Sequence, residues 1–493
     1  MKIFKNQKYI LIAILILSFV FRIYNFKSFY VFSHDQDLAS WIIKDIVVNG
    51  HNRLIGQETS SQGVFIGALY YYMQIPFYIL SNMNPMGAIF MSIILGVFTT
   101  FSIYFVFSRL ANTKVGLIGS FIHAVSALIV FTDREVAPTM PVVLWTVWYL
   151  YGLHLIYKDK YLNGFVLVGL LVGLIWHLNL ALVLLLPLVL IAFLFSSKKI
   201  NYKAIVIGLA VLFVTSLPLI LFEYKHNFSQ TKAVYLSLTT EKDLRVSSSK
   251  GYPKFDRVMQ LVNKNTIGIF SNYNFVRPSL ITAILIISLI YLVKAKKINR
   301  FLGVTFSFWL ILYIAFFTLN SLNPSEYYFN GMNIVWMFIA SSVLSELVSS
   351  KKLRKYFYIL ATLFLVTNIN FILRFNTDKK GYVEKMALVT HINEDRIKNG
   401  YPCISISYIT KPGYDLGYRY LFWLNNMHVN NPISNSPVYT IVYPHSLVDK
   451  IDNSFGSLGL IYPDYSMYNS KDIETSCGGA NSNLTDPMFG YTE

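Results

Sequence analysis

Eleven apolar, almost uncharged stretches constrain this chain more than any other feature. They lie near 9–25, 86–107, 116–131, 139–157, 162–176, 179–195, 204–222, 280–293, 301–319, 334–349 and 356–373. A helix crossing a bilayer core needs about 20 such residues. The continuous apolar run 162–195 is too long for one crossing. Trp176-His177-Leu178-Asn179 interrupts it with polar atoms that hydrocarbon disfavours, so two helices joined by a tight turn at His177 are predicted. Composition agrees: 54% of residues are hydrophobic and 14% charged, against about 25% charged in an average soluble domain. An ordinary cytosolic protein is excluded.

Segment 63–80 is long enough to cross but carries Phe65, Tyr70, Tyr71, Tyr72, Gln74, Pro76, Phe77 and Tyr78. Rings with polar tips favour the membrane–water interface, so a helix lying on the surface is expected. The basic loops arbitrate. With Lys2, Lys5 and Lys8 inside and 63–80 not crossing, four later inside loops hold Arg109 and Lys114, Lys158 and Lys160, Lys198, Lys199 and Lys203, and Lys294, Lys296, Lys297 and Arg300. A fifth holds Lys351, Lys352, Arg354 and Lys355, and Asp159 is the sole acid among these loops. A crossing at 63–80 would put all of them outside, against the positive-inside rule. The same rule explains the excess of 42 Lys+Arg over 25 Asp+Glu, a net +17, better than nucleic acid would.

The expected fold is therefore an all-α polytopic membrane protein of about eleven transmembrane helices, residues 1–375, with an N-terminus in the cytoplasm of a plasma (inner) membrane. The first stretch has no small-residue cleavage site before Arg22 and reads as an uncleaved helix. Outer loops fall at 26–85, 132–138, 223–279 and 320–333. Residues 376–493 form an extracytoplasmic tail with the pattern of a small α/β domain: helices near 381–398 and 414–426, strands at 403–409 and 438–443. Residues 445–493, rich in Asn, Ser, Gly and Asp, read as loop-like or partly disordered. Cys403 and Cys477, the only cysteines, both lie in this tail; they form either a disulfide or two free thiols. Two cysteines cannot make a zinc site by themselves, and no His/Cys/carboxylate spacing demands a metal.

Acids collect in the outer loops: Asp35, Asp37, Asp45 and Glu58 in the first, Asp133 and Glu135 in the second. Glu223 opens the loop after the seventh span, and Glu326 lies in 320–333. Mid-helix charges are nearly absent, which argues against a proton-coupled carrier. A carboxylate at the membrane rim can deprotonate an acceptor hydroxyl while a lipid-linked substrate waits in the leaflet; the alternative is that Asp35 and Asp37 only solvate a helix end.

The run Phe32-Ser33-His34-Asp35-Gln36-Asp37, followed by Gly50, resembles the first-loop motif of GT-C glycosyltransferases. The branch it resembles is glycosyltransferase family 39, the protein O-mannosyltransferase and aminoarabinose-transferase group. Members carry an acidic pair there, the first acid acting as base; here the pair reads Asp35-Gln36, with Asp37 next. Further landmarks are Gly67-Ala68-Leu69-Tyr70-Tyr71-Tyr72, Phe131-Thr132-Asp133-Arg134-Glu135 with Pro138, and His177. Leu217 to Glu223 with His226, and Ser325-Glu326-Tyr327-Tyr328-Phe329, complete the series over roughly 10–375. The resemblance implies an inverting transfer of a sugar from a polyprenyl-phosphate donor to a glycan, lipid or protein hydroxyl at the outer face of the membrane.

On that reading Asp35 is the base, Asp37 and Asp133 are further catalytic candidates, and His34, Arg53, Arg134, His177, Glu223, Glu326 and Tyr327 are substrate-binding candidates. Arg53, Arg134 and His177 would meet the leaving phosphate. Plainer roles stand beside these: Arg134 neutralising two acids, His177 satisfying the hairpin backbone, Glu326 and Tyr327-Tyr328 anchoring the interface. The donor is substrate rather than cofactor, and the chain lacks a Gly-rich nucleotide loop. Two other functions remain open: a transporter or flippase with polar groups at mid-depth, and a membrane-anchored binding protein whose tail holds the pocket.

Overall fold

The computed structural model describes residues 7–59, 62–198, 201–239, 254–271, 277–320, 324–431 and 435–485. Lys2, Lys5 and Lys199 among the orienting lysines, parts of the 223–279 and 320–333 loops, and the last residues of the tail lie outside them.

Each of the eleven apolar stretches is helical; some, such as Met86–Leu110 and Arg300–Leu319, are continuous helices, and others are broken or bent. Among the described residues, four helices are long and apolar enough to cross a membrane, or five if the bent pair Tyr202–Thr215 and Leu217–Lys225 counts as one span; shorter apolar helices make up the rest. The bend is 56° and falls at Ser216, where Pro218 in the first turn of the second helix cannot continue the ladder. The third stretch breaks at Ser126 between Thr113–Val125 and Ala127–Thr132, and the Asn368 side chain accepts the freed Ala127 N–H at 2.8 Å. Around His177, Tyr161–Leu174 tightens into a 3-10 turn, Ile175–His177, and the chain re-enters as Leu180–Leu185 and Leu188–Leu194. Helices Tyr161–Leu174 and Tyr202–Thr215 nearly touch through backbone: a Cβ on Gly169 would stand 2.1 Å from the Gly208 carbonyl oxygen. Such small-residue contacts are how helices approach closely without a hydrophobic driving force. The outer faces are apolar, with Leu194, Phe213, Ile287 and Leu363 all more than half exposed, as lipid contact requires.

Segment 63–80 departs from the expected surface helix. Its first part is strand β2 (Phe65–Gly67), antiparallel to β1 (Ile55–Glu58), and only Leu69–Leu80 is helical. Tyr70, Tyr71 and Tyr78 are buried in protein, while the exposed side is Met73, Ile79 and Leu80. The Tyr78 hydroxyl pairs with Ser40 Oγ at 2.8 Å and the Tyr71 hydroxyl accepts the Gln57 N–H at 3.2 Å, so the protein itself satisfies them.

The tail builds a five-stranded sheet, β4-β3-β5-β7-β6, from β3 (Ile404–Thr410), β4 (Val429–Asn430), β5 (Val438–Tyr443), β6 (Asn453–Phe455) and β7 (Leu458–Ile461). Strand β3 runs parallel to β4 and β5, and β7 is antiparallel to β5 and β6. Helix Tyr382–Lys398 covers it with Leu388, Val389 and Ile392. The expected 414–426 helix shrinks to Arg419–Leu424, because Gly413 and Gly417 adopt φ of +87° and +86° just before it. The supposed loop 445–493 is more ordered than its composition suggests: β6 and β7 form a hairpin turning at Gly456, and Ser470–Cys477 is a helix. Cys403 and Cys477 are joined as a disulfide across 74 residues.

Candidate functional site

Helix His34–Val48 begins at Ser33, whose N–H and hydroxyl both donate to Gln36 Oε1, at 3.0 and 2.6 Å. The Gln36 amide then donates to the Val136 carbonyl at 3.2 Å. One side chain thus starts the helix and ties it to the loop 132–138, and the residues before each end of that tie, Asp35 and Glu135, open onto one cavity. The cavity holds about 670 Å³. Asp35, Glu58 and Glu135 supply its carboxylates; Trp176, Leu178, Leu180, Val183, Phe316 and Phe317 supply much of its apolar wall. Tyr327 and Tyr328 close one side, with Tyr328 stacked on Phe317 at 5.3 Å. Four loops assigned to one side of the membrane by charge, 26–85, 132–138, 223–279 and 320–333, all contribute, together with the hairpin at 176–179.

Solvent reaches Glu135 through the cavity while protein surrounds it on the other sides, so burial and then the nearby Asp133 charge push its carboxyl above the usual glutamate range. Asp35 is exposed into the same space, in the first turn of its helix where the helix dipole favours an anion.

The other candidates lie elsewhere. Asp133 is buried and faces Arg22, which donates from Nε at 2.9 Å and Nη2 at 2.5 Å; the catalytic candidate of that loop on the cavity is Glu135 instead. The sequence could not separate these two acids because the deciding partner, Arg22, is 111 residues away. Asp37 is 3% exposed and accepts the Tyr420 N–H at 2.9 Å, away from the cavity lining. Arg134 closes the end of helix Gln7–Ile23, donating to the carbonyls of Phe21, Arg22 and Tyr24, with its guanidinium 4.9 Å from the Phe29 ring. Arg53 pairs with Asp45 at 2.9 Å. His177 is buried against Gly67 and accepts the Leu69 N–H at 3.3 Å. A Cβ on Gly67 would collide with that ring, so the landmark glycine and the hairpin histidine are one packing unit. Glu223 caps helix Ser229–Thr239 through Gln230 N, Thr231 N and Thr231 Oγ1. Glu326 pairs with Lys264 on the surface, and His34 is half-buried outside the lining. Of the substrate-binding candidates, Tyr327 alone lines the cavity, and no Lys, Arg or His does so among the described residues. Trp176, in the wall, has an indole N–H without a hydrogen-bond partner; an aromatic inside an apolar run gave no signal of that. No group of three or more His, Cys, Asp or Glu that could hold a metal ion is present among the described residues.

Residues 68–222 match the sequence family described as dolichyl-phosphate-mannose-protein mannosyltransferase. Among solved structures, ArnT of Cupriavidus metallidurans in the apo state superposes with a TM-score of 0.59 at 9% identity, covering 94% of this chain and 98% of that one. The same protein bound to undecaprenyl phosphate gives 0.56 at 10% identity over 94% and 98%. AglB, the oligosaccharyltransferase of Archaeoglobus fulgidus in complex with an inhibitory peptide and a dolichol-phosphate, gives 0.53 at 12% identity over 94% and 75%. The chain has the GT-C fold. Residues 68–222 carry that family's sequence pattern, and the fold with its apolar helices is that of a multi-pass membrane protein. No curated protein sequence matches it significantly.

Proposed function

We propose that this GT-C protein transfers a sugar from a polyprenyl-phosphate carrier to an acceptor hydroxyl at the outer face of the membrane, with Asp35 as general base and an N-terminus in the cytoplasm. The supporting observation is Asp35 exposed on a cavity whose carboxylates face an apolar, aromatic wall. That division suits an amphiphile, with sugar at the acids and polyprenyl chain along the wall. In the step, the acceptor oxygen forms a bond to the anomeric carbon while the carbon–oxygen bond to phosphate breaks. The phosphate leaves with the electron pair, and the hydroxyl proton passes to the Asp35 carboxylate. A single displacement inverts the anomeric centre. Glu135 is placed to orient the acceptor or sugar by accepting hydrogen bonds. The Tyr327 hydroxyl, on a cavity-lining residue, is a donor for the departing phosphate.

The test uses purified protein in bilayer nanodiscs, radiolabelled sugars on undecaprenyl phosphate (hexoses and pentoses) and solubilised cell envelope as acceptor. Wild type releases undecaprenyl phosphate and labels the envelope with inverted configuration. Loss of a general base lowers kcat by about 10²–10⁴, so Asp35→Asn should fall in that range with donor KM little changed. Full activity in Asp35→Asn removes Asp35 as base; retained configuration removes the single displacement.

A further inference from the structure

The tail domain and the loop carrying Asp35 are not separate bodies that happen to touch. One hydrophobic cluster runs from Tyr30, Phe32, Ile42 and Tyr78 into Leu388, Ile404 and Tyr439 of the sheet domain. The Tyr382 N–H donates to the Tyr30 carbonyl at 3.0 Å, and the Tyr420 hydroxyl donates to the Met83 carbonyl at 2.7 Å. Gly417, at φ +86°, lies so near residues 32–33 that a Cβ there would stand 3.1 Å from the Phe32 carbonyl oxygen and 2.7 Å from Lys385 Nζ. Trp41, one helical turn beyond Asp37, meets the Tyr420 ring edge-on at 5.8 Å. Asp37 sits at the centre of this seat, buried, with its Oδ1 on the Tyr420 N–H at 2.9 Å. It shares the first turn of its helix with Asp35, which faces the opposite way into the cavity.

We propose that Asp37 is a positioning residue for Asp35: by holding the Tyr420 N–H it fastens the first helical turn to the sheet domain, and that domain thereby sets where the Asp35 carboxylate stands. The proposal rests on Asp35 being the base. Two residues along one turn are rigidly related, so tilting the turn at Asp37 swings Asp35 out of line, and a misplacement of about 1 Å costs on the order of 10²-fold. A buried carboxylate is a demanding way to fill this place, since an apolar residue would pack there without desolvation; a fixed acceptor for one backbone N–H explains it.

The experiment measures kcat and donor KM of Asp37→Ala, Asp37→Asn, Gly417→Ala and Asp35→Asn with the nanodisc assay above. Asp37→Ala, lacking the acceptor, should lose about 10–100-fold in kcat with donor KM within about threefold. Asp37→Asn keeps an acceptor oxygen and should recover to within about threefold of wild type. Gly417→Ala disturbs the seat from the domain side and should lower kcat about tenfold. Should Asp37→Ala fail to fold, Asp37→Asn and Gly417→Ala decide. Wild-type kcat in Asp37→Ala or Gly417→Ala, with Asp35→Asn inactive, overturns the positioning role and leaves the base standing. Equal losses in Asp37→Ala and Asp37→Asn overturn it too, since charge and not the bond would then matter. An active Asp35→Asn points instead to failure of the base assignment.

Discussion

Pairing of Arg22 with Asp133 distinguishes a structural acid from a catalytic one, and a double-mutant cycle reads the difference. Arg22 is fully buried, and besides Asp133 it donates to the Ser18 and His123 carbonyls at 3.1 and 3.3 Å and to Ser18 Oγ at 2.7 Å. His123 Nε2 lies 3.9 Å from the same Asp133 oxygen. Removing one partner of such a pair strands a buried charge at a cost of about 3–5 kcal/mol, whereas replacing both by apolar groups of similar size is nearly neutral. Asp133→Leu and Arg22→Met should each be strongly destabilised, and the double variant should regain most of the loss. With an unfolding entropy of ~2 cal/mol/K per residue, a chain of this length loses ~1 kcal/mol per degree, so each single variant drops by roughly 4 °C and the pair by under 2 °C. Thermal aggregation in detergent measures the midpoints, and turnover in nanodiscs supplies the second axis. An Asp133 that only shapes the loop carrying Glu135 leaves the double variant active. Additive midpoint losses refute the coupling, and a stable but inactive double variant returns Asp133 to the chemistry.

Glu135→Gln should lower kcat/KM by about 10–100-fold and erase the acid limb of the pH–rate profile that lies above the ordinary glutamate range; an unchanged profile makes Glu135 a bystander. Burial among Tyr78, Tyr408 and Tyr420 raises the Asp37 carboxyl to about 6, although the Tyr420 N–H, Lys385 and Arg419 each favour its anion. The folded state therefore holds that proton where the unfolded chain has lost it, and stability falls as pH rises between the usual aspartate value and about 6. Asp37→Asn should gain ~3 kcal/mol relative to wild type between pH 4 and 7, read as diverging unfolding midpoints. Opening the disulfide with Cys403→Ser and Cys477→Ser frees a loop spanning 74 residues and should cost the sheet domain about 2–4 kcal/mol, seen as faster proteolysis of the tail.

Helical spans were legible because their signal is local and repeated. Met86–Leu110, Arg300–Leu319 and Arg354–Arg374 each contain the stretch that hydropathy marks, and β5 occupies the expected 438–443. Interruptions were legible only where a polar residue advertised them, as at His177, and not at Ser126, whose break depends on Asn368 from a distant helix. The tyrosines of Leu69–Leu80 also have partners that the sequence pattern does not show. Membrane preference scales price a ring against lipid and water, whereas Tyr78 is priced against Ser40 and a protein core. The 445–493 tail held too few apolar residues to suggest a sheet edge, yet β7 needs only Leu458 and Leu460 facing an existing core.

For the site, the grouping of the loops was legible and the aim of their side chains was not. Loop charges place Asp35, Asp37, Asp133 and Glu135 on one side of the membrane, and the cavity gathers loops that the same rule puts together. Which carboxylate enters it is decided by partners that chain order conceals: Tyr420 withdraws Asp37, Arg22 withdraws Asp133, and the Gln36–Val136 tie leaves Asp35 and Glu135 facing the space between. The cations show the same logic. Arg53 and Arg134 are on loops that the charge pattern groups with Asp35, but Asp45 and three backbone carbonyls claim them. A charged side chain near a membrane rim is costly to leave unpaired, so the fold satisfies its structural charges internally. The acids that remain open to the cavity, Asp35, Glu58 and Glu135, have no Lys, Arg or His beside them in its lining among the described residues.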